Sequence, residues 1–597
     1  MTIMDDFQNE IRQRVSAALK DMGAETDFVV EASTMEGVDM AVPCFPMAKA
    51  LRKAPQAISD DLASRIQPSG MISNVSSVNG FLNFNIDPSV LIESTLKEIV
   101  EKGKDYGALP SSGIRVNVEH TSTNPTGPIH VGRARNPIIG DTLARCLKKC
   151  GHEVMTEYYV NDVGKQVVVL TWGVNNVSDE DAQKNSEEHM KEIGQNEKER
   201  DKTDHRLVAK YRVANKLMEA QPEVQDEISD MMRRFEQGDQ EVIDTVRHTA
   251  GIMLDGLKET LGQINVFLDR YTWESQYIAD GSAKSVVEKL KESKYAGQTE
   301  DGAWYVDLKD FGVQGKNTKF TFTRSDGTTL YTTRDLAYHL DKFTRADRLI
   351  DVLGEDQKLG SKQLCSALEI MGDDKQPEPL FYAFVSLPQG KMSTRSGVVV
   401  YLDDLIDEAV ARAYEEIRSR RANLSEEEKA KGRTEMSEER MREVAKIVGV
   451  AAVRFNIIRV QPEKQFVFKW EEALNFDGNS GPYLQYVHAR ACSMLRKAGE
   501  FKHDTDPSKL TDPMELNLVK ILAGYEDVLK AAGNEKRVHM LPAYGHDLAS
   551  AFNQYYAKVS ILNSGDKRDA RLTLVECAKT VLADVLDCLG MGAPEEM

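Results

Sequence analysis

The sequence predicts a multidomain α/β fold: a nucleotide-binding domain on a parallel sheet interrupted by a helical insertion, an α+β domain before it and an all-α bundle after it. Three observations predict this. At 597 residues the chain exceeds what one core organises, and its 41% hydrophobic content can supply several domains with cores. Residues 114–151 read as strand, proline- and glycine-bearing loop and amphipathic helix, the opening unit of a doubly wound domain. Beyond Trp470 the pattern is helical to the end of the chain.

The first residues place Phe7, Ile11, Val15 and Leu19 on one helical face, and Asp5, Asp6, Glu10 and Arg12 break the apolar core that an export signal needs. A strand signal at residues 28–31, a helix near 47–66 and GFLNFNI at 80–86 complete an α+β domain over residues 1–110. Ile114, Val116 and Val118 then alternate as a strand requires, Ile139, Leu143 and Leu147 recur every fourth residue, and Gly151 stands where a left-handed cap closes a helix. Residues 111–400 are assigned to this second domain. A charge-rich run at about 175–262 is read as a helical insertion within it, because segments such as VIDTVRHTAGIMLDGLKETL keep apolar residues at helical spacing. An Asp326-Gly327 pair inside KFTFTRSDGTTLYTT signals a hairpin turn. Residues 401–475 form a connecting helical region whose polar stretch is read as a solvated hairpin, and residues 476–597 form the bundle.

The chemistry begins at PIHVGR, residues 128–133. Gly132 lets a phosphate approach the backbone, His130 can donate an imidazole N–H to it, and the next helix offers unpaired amides and the positive end of its dipole. Alone the hexapeptide is weak, since a loop histidine is more often a structural hydrogen bonder. A second element, KMSTRSG at residues 391–397, follows the apolar run LFYAFVSL. Together the two resemble the His-Ile-Gly-His and Lys-Met-Ser-Lys-Ser signatures of class I aminoacyl-tRNA synthetases, in the same order and on the same kinds of element. With FLNF, WESQ, YTTRD, GPYLQY and the terminal APEEM, the resemblance spans nearly the whole chain and is to the arginyl-tRNA synthetases.

That resemblance implies a Rossmann-type catalytic domain, an N-terminal domain reaching the corner of the tRNA and an anticodon-binding helical bundle. It implies attack by the arginine carboxylate on the α-phosphorus of ATP, with Mg²⁺, and transfer to the 2′-hydroxyl of the terminal adenosine of the tRNA for arginine. ATP would meet Pro128, His130, Gly132, Gly354, Glu355, Lys391, Met392 and Ser393, with His130, Arg133, Lys391 and Arg395 acting on the phosphates. Glu355 or Asp356 would take the ribose. L-Arginine would meet Glu119, Ser122, Asn124, Gln357, the carboxylates of Glu274 and Asp335, and Tyr331 along its aliphatic stem. A planar cation with five donors calls for fixed carboxylates, so this agrees with the chemistry. Taken without the resemblance, Glu274 is surface decoration, Asp335 an N-cap, and Glu119, Ser122 and Asn124 the polar residues of a strand end and turn. Tyr483, Tyr486 and Tyr556 could stack anticodon bases, with core packing as the plain alternative, and Met597 matches the family's terminal residue.

Two signature positions depart from the pattern: Arg133 replaces the second histidine and Thr394 the second lysine. Arg133 keeps a donor and adds a permanent charge, whereas Thr394 removes a cation. Those changes motivate one rival, a catalytically silent tRNA-binding paralogue. The formal charge of −19 excludes RNA binding through the whole surface and leaves local basic patches. Seven scattered cysteines, odd in number, suggest a reducing cytosol, and no apolar run is long enough to span a bilayer. Cys146 and Cys150 lie one helical turn apart without a second ligand pair, so they are read as core thiols and no metal site is expected. A cytoplasmic monomer is the expectation.

Overall fold

The computed structural model describes residues 3–192, 200–314, 318–386, 401–422 and 436–597. At the N-terminus, helices Ile3–Asp21 and Pro55–Arg65 pack on a four-stranded antiparallel sheet of β1 (Glu31–Ala32), β2 (Met40–Pro43), β3 (Ile72–Val78) and β4 (Phe81–Ile86), in the order β1-β2-β4-β3. Phe7, Ile11, Val15 and Leu19 are all buried, as one helical face should be. Two local expectations are corrected. The strand expected at residues 28–31 forms at Glu31–Ala32. The helix expected near 47–66 is two helices, Ala48–Leu51 and Pro55–Arg65. Arg52 closes the first in the left-handed region at φ 52°, and Ala54, restricted by the following proline, is extended.

The central sheet is wholly parallel. Its strands are β5 (Arg115–Glu119), β6 (Glu153–Val160), β7 (Arg270–Trp273), β11 (Arg348–Gly354) and β12 (Glu378–Tyr382), in the order β12-β11-β5-β6-β7. The chain grows outward from β5 through β6 to β7, then returns to the other side of β5 for β11 and β12. The gap beyond the carboxyl ends of β5 and β11 is therefore the switch point where such sheets bind ligands. Helix Arg135–Lys149 joins β5 to β6 and lays Ile139, Leu143 and Leu147 into the core, and Gly151 after it sits at φ 79°. Cys146 and Cys150 are buried free thiols.

Between β6 and β7 the chain forms helices Lys165–Asn176, Asp179–Glu192, Thr203–Ala220, Pro222–Glu236 and Gln240–Gln263, with a core that includes Val167, Ile228, Phe235 and Val246. Between β7 and β11 stand three short strands, β8 (Ala296–Gln298), β9 (Trp304–Asp307) and β10 (Lys319–Thr321), antiparallel in the order β10-β9-β8, of which only β10 falls within the expected hairpin segment. The turn expected at Asp326-Gly327 follows, with Gly327 at φ 83° and the Arg324 amide donating to the Thr328 carbonyl at 2.9 Å.

Helices Leu402–Ala422 and Glu438–Ile458 pack together, and β13 (Val385–Ser386) pairs with β14 (Phe466–Val467) ahead of the C-terminal helices. Those helices are Gly481–Ala498, Pro513–Ala523, Tyr525–Gly533, Met540–Lys558 and Arg568–Cys588. The chain end runs back along the first of them. Gln485 donates to the Gly592 carbonyl at 2.7 Å, and Arg421 of the helical hairpin donates to the Met597 carbonyl at 2.8 Å. The N-terminal region meets this bundle directly, through the Tyr106 hydroxyl on the Leu522 carbonyl at 3.0 Å and Lys520 on Asp39 at 2.5 Å. No helix among the described residues is long and apolar enough to cross a membrane.

Candidate active site

After β5 the backbone turns abruptly. Thr121 and Ser122 both have positive φ, at 74° and 32°, a costly arrangement for residues with a side chain. Asn136, from the helix that follows, holds the turn by accepting the Thr121 amide at 2.6 Å while donating to the Val352 carbonyl of β11 at 2.9 Å. The switch-point strands are thereby tied to the start of the signature helix.

The phosphate loop follows. Pro128, Ile129, Val131 and Gly132 are buried, and His130 is half-buried with an extended backbone. Its Nδ1 accepts the Gly132 amide at 3.0 Å, which places the proton of the neutral ring on Nε2, where it can donate. Arg133 is exposed, with its guanidinium 5.9 Å from the centre of the Phe384 ring. Arg135 beside it is buried and donates to the carbonyls of Ala383, Val460, Gln461 and Lys464 at 2.8–3.1 Å. Burial without an acidic partner draws its pKa down to about 10.

Lys391, Met392, Ser393, Thr394 and Arg395 lie outside the described residues. Both flanks of that segment reach the first signature. Ahead of it, Phe384 lies under Arg133; after it, Tyr401 bridges to His130, and the Leu402 amide donates to the Ile129 carbonyl at 2.8 Å. At the end of β11, packing alone already calls for glycine at Gly354. A Cβ there would lie 2.4 Å from the Asp356 carboxylate and 2.9 Å from the Phe384 ring. Glu355, Asp356 and Gln357 form one exposed 3₁₀ turn at this edge.

The expected arginine residues gather on the other side of the switch point. Glu119 and Asp351 end up as register neighbours on β5 and β11, two buried carboxylates side by side. They share one ammonium: Lys342, fully buried on helix Tyr331–Arg345, donates to each at 2.8 Å. His339, one turn earlier, sets Nε2 against Asp351 at 3.0 Å and Nδ1 against the Asp335 carboxylate at 3.1 Å. Burial and Lys342 oppose a charge on His339, but Asp335 and Asp351 outweigh them and raise its pKa to about 10. Burial lifts the Glu119 carboxyl above its usual range, whereas for Asp351 the cations Lys342 and His339 overcome burial and hold it below.

Ser122 donates to Glu119 at 3.0 Å and accepts the Tyr159 amide at 3.2 Å. Asn124 is exposed and lines a cavity of about 220 Å³ with Asn161 and Gly164. Glu274 is almost fully buried, and burial raises its pKa to about 7. Within the chain it is already paired with one guanidinium, because Arg334 donates to its Oε1 at 2.5 Å. Its Oε2 faces Asn161, whose amide, correctly oriented, donates at 2.9 Å. Asp335 is partly exposed, Tyr331 is 67% exposed on the same helix, and Gln357 is exposed on the far side of the cleft. Sequence reasoning missed Tyr159, Asn161, Arg334, His339, Lys342 and Asp351. The Tyr159 hydroxyl is buried with no hydrogen-bond partner among the described residues, an unmet need at the edge of this pocket.

In the bundle, Arg490 stacks over two of the expected aromatic residues, with its guanidinium 4.7 Å from the Tyr486 ring centre and 4.9 Å from that of Tyr556. Asn553 bridges Arg490 to the Tyr483 hydroxyl at 2.6 and 3.0 Å. Tyr483 is half-buried and Tyr556 is 36% exposed. Met597 stands apart from this face and packs on the hairpin near Ile417 and Val444.

A parallel sheet with two signature flanks meeting at its switch point defines the catalytic domain of a class I aminoacyl-tRNA synthetase, and residues 95–470 match the family described as tRNA synthetases class I (R), catalytic domain. Residues 9–86 match the arginyl tRNA synthetase N terminal domain and residues 484–597 the DALR anticodon binding domain. Arginine–tRNA ligase of Methanocella arvoryzae is 42% identical over 98% of this chain and 100% of its own, and that of Methanococcoides burtonii 39% over 99% and 100%. The arginyl-tRNA synthetase of Thermus thermophilus superposes with a TM-score of 0.79 at 27% identity, covering 99% of this chain and all of its own. The chain belongs to the arginyl-tRNA synthetase family.

Proposed function

We propose that the chain activates L-arginine with ATP to arginyl-adenylate, releasing pyrophosphate, and transfers arginine to the 2′-hydroxyl of the terminal adenosine of its tRNA. The observation that carries this is the convergence at one switch point of a phosphate loop, both flanks of the second signature and a wall of buried carboxylates. Full-length similarity to arginine–tRNA ligases favours the enzyme over a silent paralogue.

No protein nucleophile is needed. The arginine carboxylate is the nucleophile, so the residues have to position it and stabilise charge on the phosphates. His130 Nε2–H and Arg133 face the phosphates from the first loop, with Pro128 and Gly132 shaping it; Lys391, Met392, Ser393 and Arg395 serve from the second. ATP enters as its Mg²⁺ complex, the metal riding on the phosphates. The ribose lies at Gly354 and Glu355. Glu274 and Asp335 take the guanidinium, Tyr331 covers the stem, and Glu119, Ser122, Asn124 and Gln357 set the α-amino and carboxylate end. Tyr483, Tyr486 and Tyr556 meet the anticodon loop, with Met597 at the hairpin edge. The chain is read as a cytoplasmic monomer divided near residues 110, 400 and 475. ATP–pyrophosphate exchange with each amino acid, with and without tRNA, is the test. Exchange confined to arginine supports the reading, and silence with arginine, ATP and tRNA all present sinks it.

A further inference from the structure

A second buried ionic cluster lies outside the substrate pockets. Lys202 precedes helix Thr203–Ala220 of the insertion, and its ammonium donates to Asp204 at 3.2 Å and to both oxygens of Asp403 at 3.2 Å, and also to Thr260. Thr260, on helix Gln240–Gln263, donates to Asp403 at 3.0 Å, and His205 Nε2 lies 3.2 Å from the same carboxylate. Asp204 and Asp403 are completely buried, and Asp204 fits only because Gly256 faces it: a Cβ there would lie 2.6 Å from the carboxyl carbon. Asp204, His205 and Asp403 have the spacing of a metal site, but the Lys202 ammonium touches both carboxylates and supplies the cation.

What matters is where Asp403 sits. It is two residues past Tyr401, which bridges to His130, and one past Leu402, whose amide is held by Ile129. His205 also meets the Tyr401 ring edge-on at 5.0 Å. Two insertion helices thus grip the chain at Asp403, next to where Tyr401 and Leu402 meet the loop at His130 and Ile129. We infer that Lys202 and Asp403 are positioning residues for ATP: the helical insertion, through this ion cluster, sets His130 and the chain at Tyr401 and Leu402 relative to each other. The inference rests on the ATP site proposed above. It assigns the insertion a part in nucleotide binding that its solvated, charged sequence does not suggest.

The experiment is arginine-dependent ATP–pyrophosphate exchange, with tRNA present, on the full chain and on Asp403→Asn, Lys202→Met and the conservative Asp403→Glu. Lys149→Met serves as a control for general destabilisation, since it breaks the Lys149–Asp584 pair at the far end of the signature helix. The first two substitutions should raise the KM for ATP about tenfold or more while the KM for arginine stays within about twofold. Asp403→Glu should recover part of the ATP affinity, and Lys149→Met should lower Tm without moving the KM for ATP. The inference is overturned if the two KM values move together, if neither moves, or if Lys149→Met raises the KM for ATP as much as Asp403→Asn. Absence of exchange in the unmodified chain would instead remove the functional reading on which it stands.

Discussion

The floor of the proposed arginine pocket and the aromatic face of the bundle both hold cations among partners, yet they are built in opposite ways. Beneath the pocket, Lys342 is sealed between Glu119 and Asp351, so each charge depends on the others and none can leave without stranding its neighbours. On the bundle, Arg490 lies across Tyr486 and Tyr556 where water can reach, held by ring faces, the Tyr486 hydroxyl and one amide. The first arrangement fixes a shape, whereas the second presents replaceable surfaces. A small substrate of fixed shape suits the first and an RNA loop of unstacked bases the second.

Breaking the buried side should have the largest effect. Lys342→Met leaves Glu119 without its cation and Asp351 with His339 alone, two adjacent buried carboxylates, and should cost about 3–5 kcal/mol of stability, read as a lowered urea midpoint. Next, Glu274→Gln removes an ionised acceptor from the proposed guanidinium site and should reduce kcat/KM for arginine by about 100-fold or more, with the KM for ATP little changed. A pH profile sharpens this. Burial raises the Glu274 carboxyl to about 7, so it gains its charge as pH rises through 7, and the KM for arginine should fall between pH 6 and 8. In Glu274→Gln that slope should vanish; a slope that persists would assign the titration to another group.

His339 gives a signed expectation for stability. Its folded pKa of about 10 lies above its ordinary value, so its contribution is complete below about pH 6.5 and is lost as pH rises through about 10. Thermal unfolding of His339→Gln should therefore differ from that of the unmodified chain at pH 6 and approach it at pH 10.5. The smallest effects belong to the exposed face. Tyr556→Ala should weaken tRNA binding by about 1–3 kcal/mol, measured by filter retention, while both small-substrate KM values stay fixed. If Tyr556→Ala instead lowers Tm with tRNA affinity intact, the face is packing and the contrast drawn above collapses.

Much of the scaffold was legible because periodicity carries it. Phe7 to Leu19, Ile139 to Leu147 and the alternating valines of β5 had to lie where they do for any core to form. Gly151 and the Asp326-Gly327 turn were legible as backbone needs. Strands β8 and β9 were not, because three or four residues are too few to show alternation. The site was half legible. Glu119, Glu274 and Asp335 could be matched to motifs, but their partners come from distant segments: Arg334 lies sixty residues after Glu274, and Lys342 more than two hundred after Glu119. One signal was available. Asp335, His339 and Lys342 stand at helical spacing on a single face, and Asp351 interrupts an otherwise apolar strand, which together foretell a buried charge cluster.

Arg135 determines where this protein can be cut. The two terminal nitrogens of its guanidinium donate, among the described residues, to carbonyls of Ala383 and of Val460, Gln461 and Lys464, stretches that lie beyond the parallel sheet in sequence. A fragment that ended ahead of Val460 would keep the whole nucleotide-binding sheet yet leave a buried cation without three of its acceptors. Limited proteolysis should accordingly release no stable amino-terminal product ending between Tyr382 and Val460. Transplanting the sheet into another protein would require carrying the loop as far as Lys464.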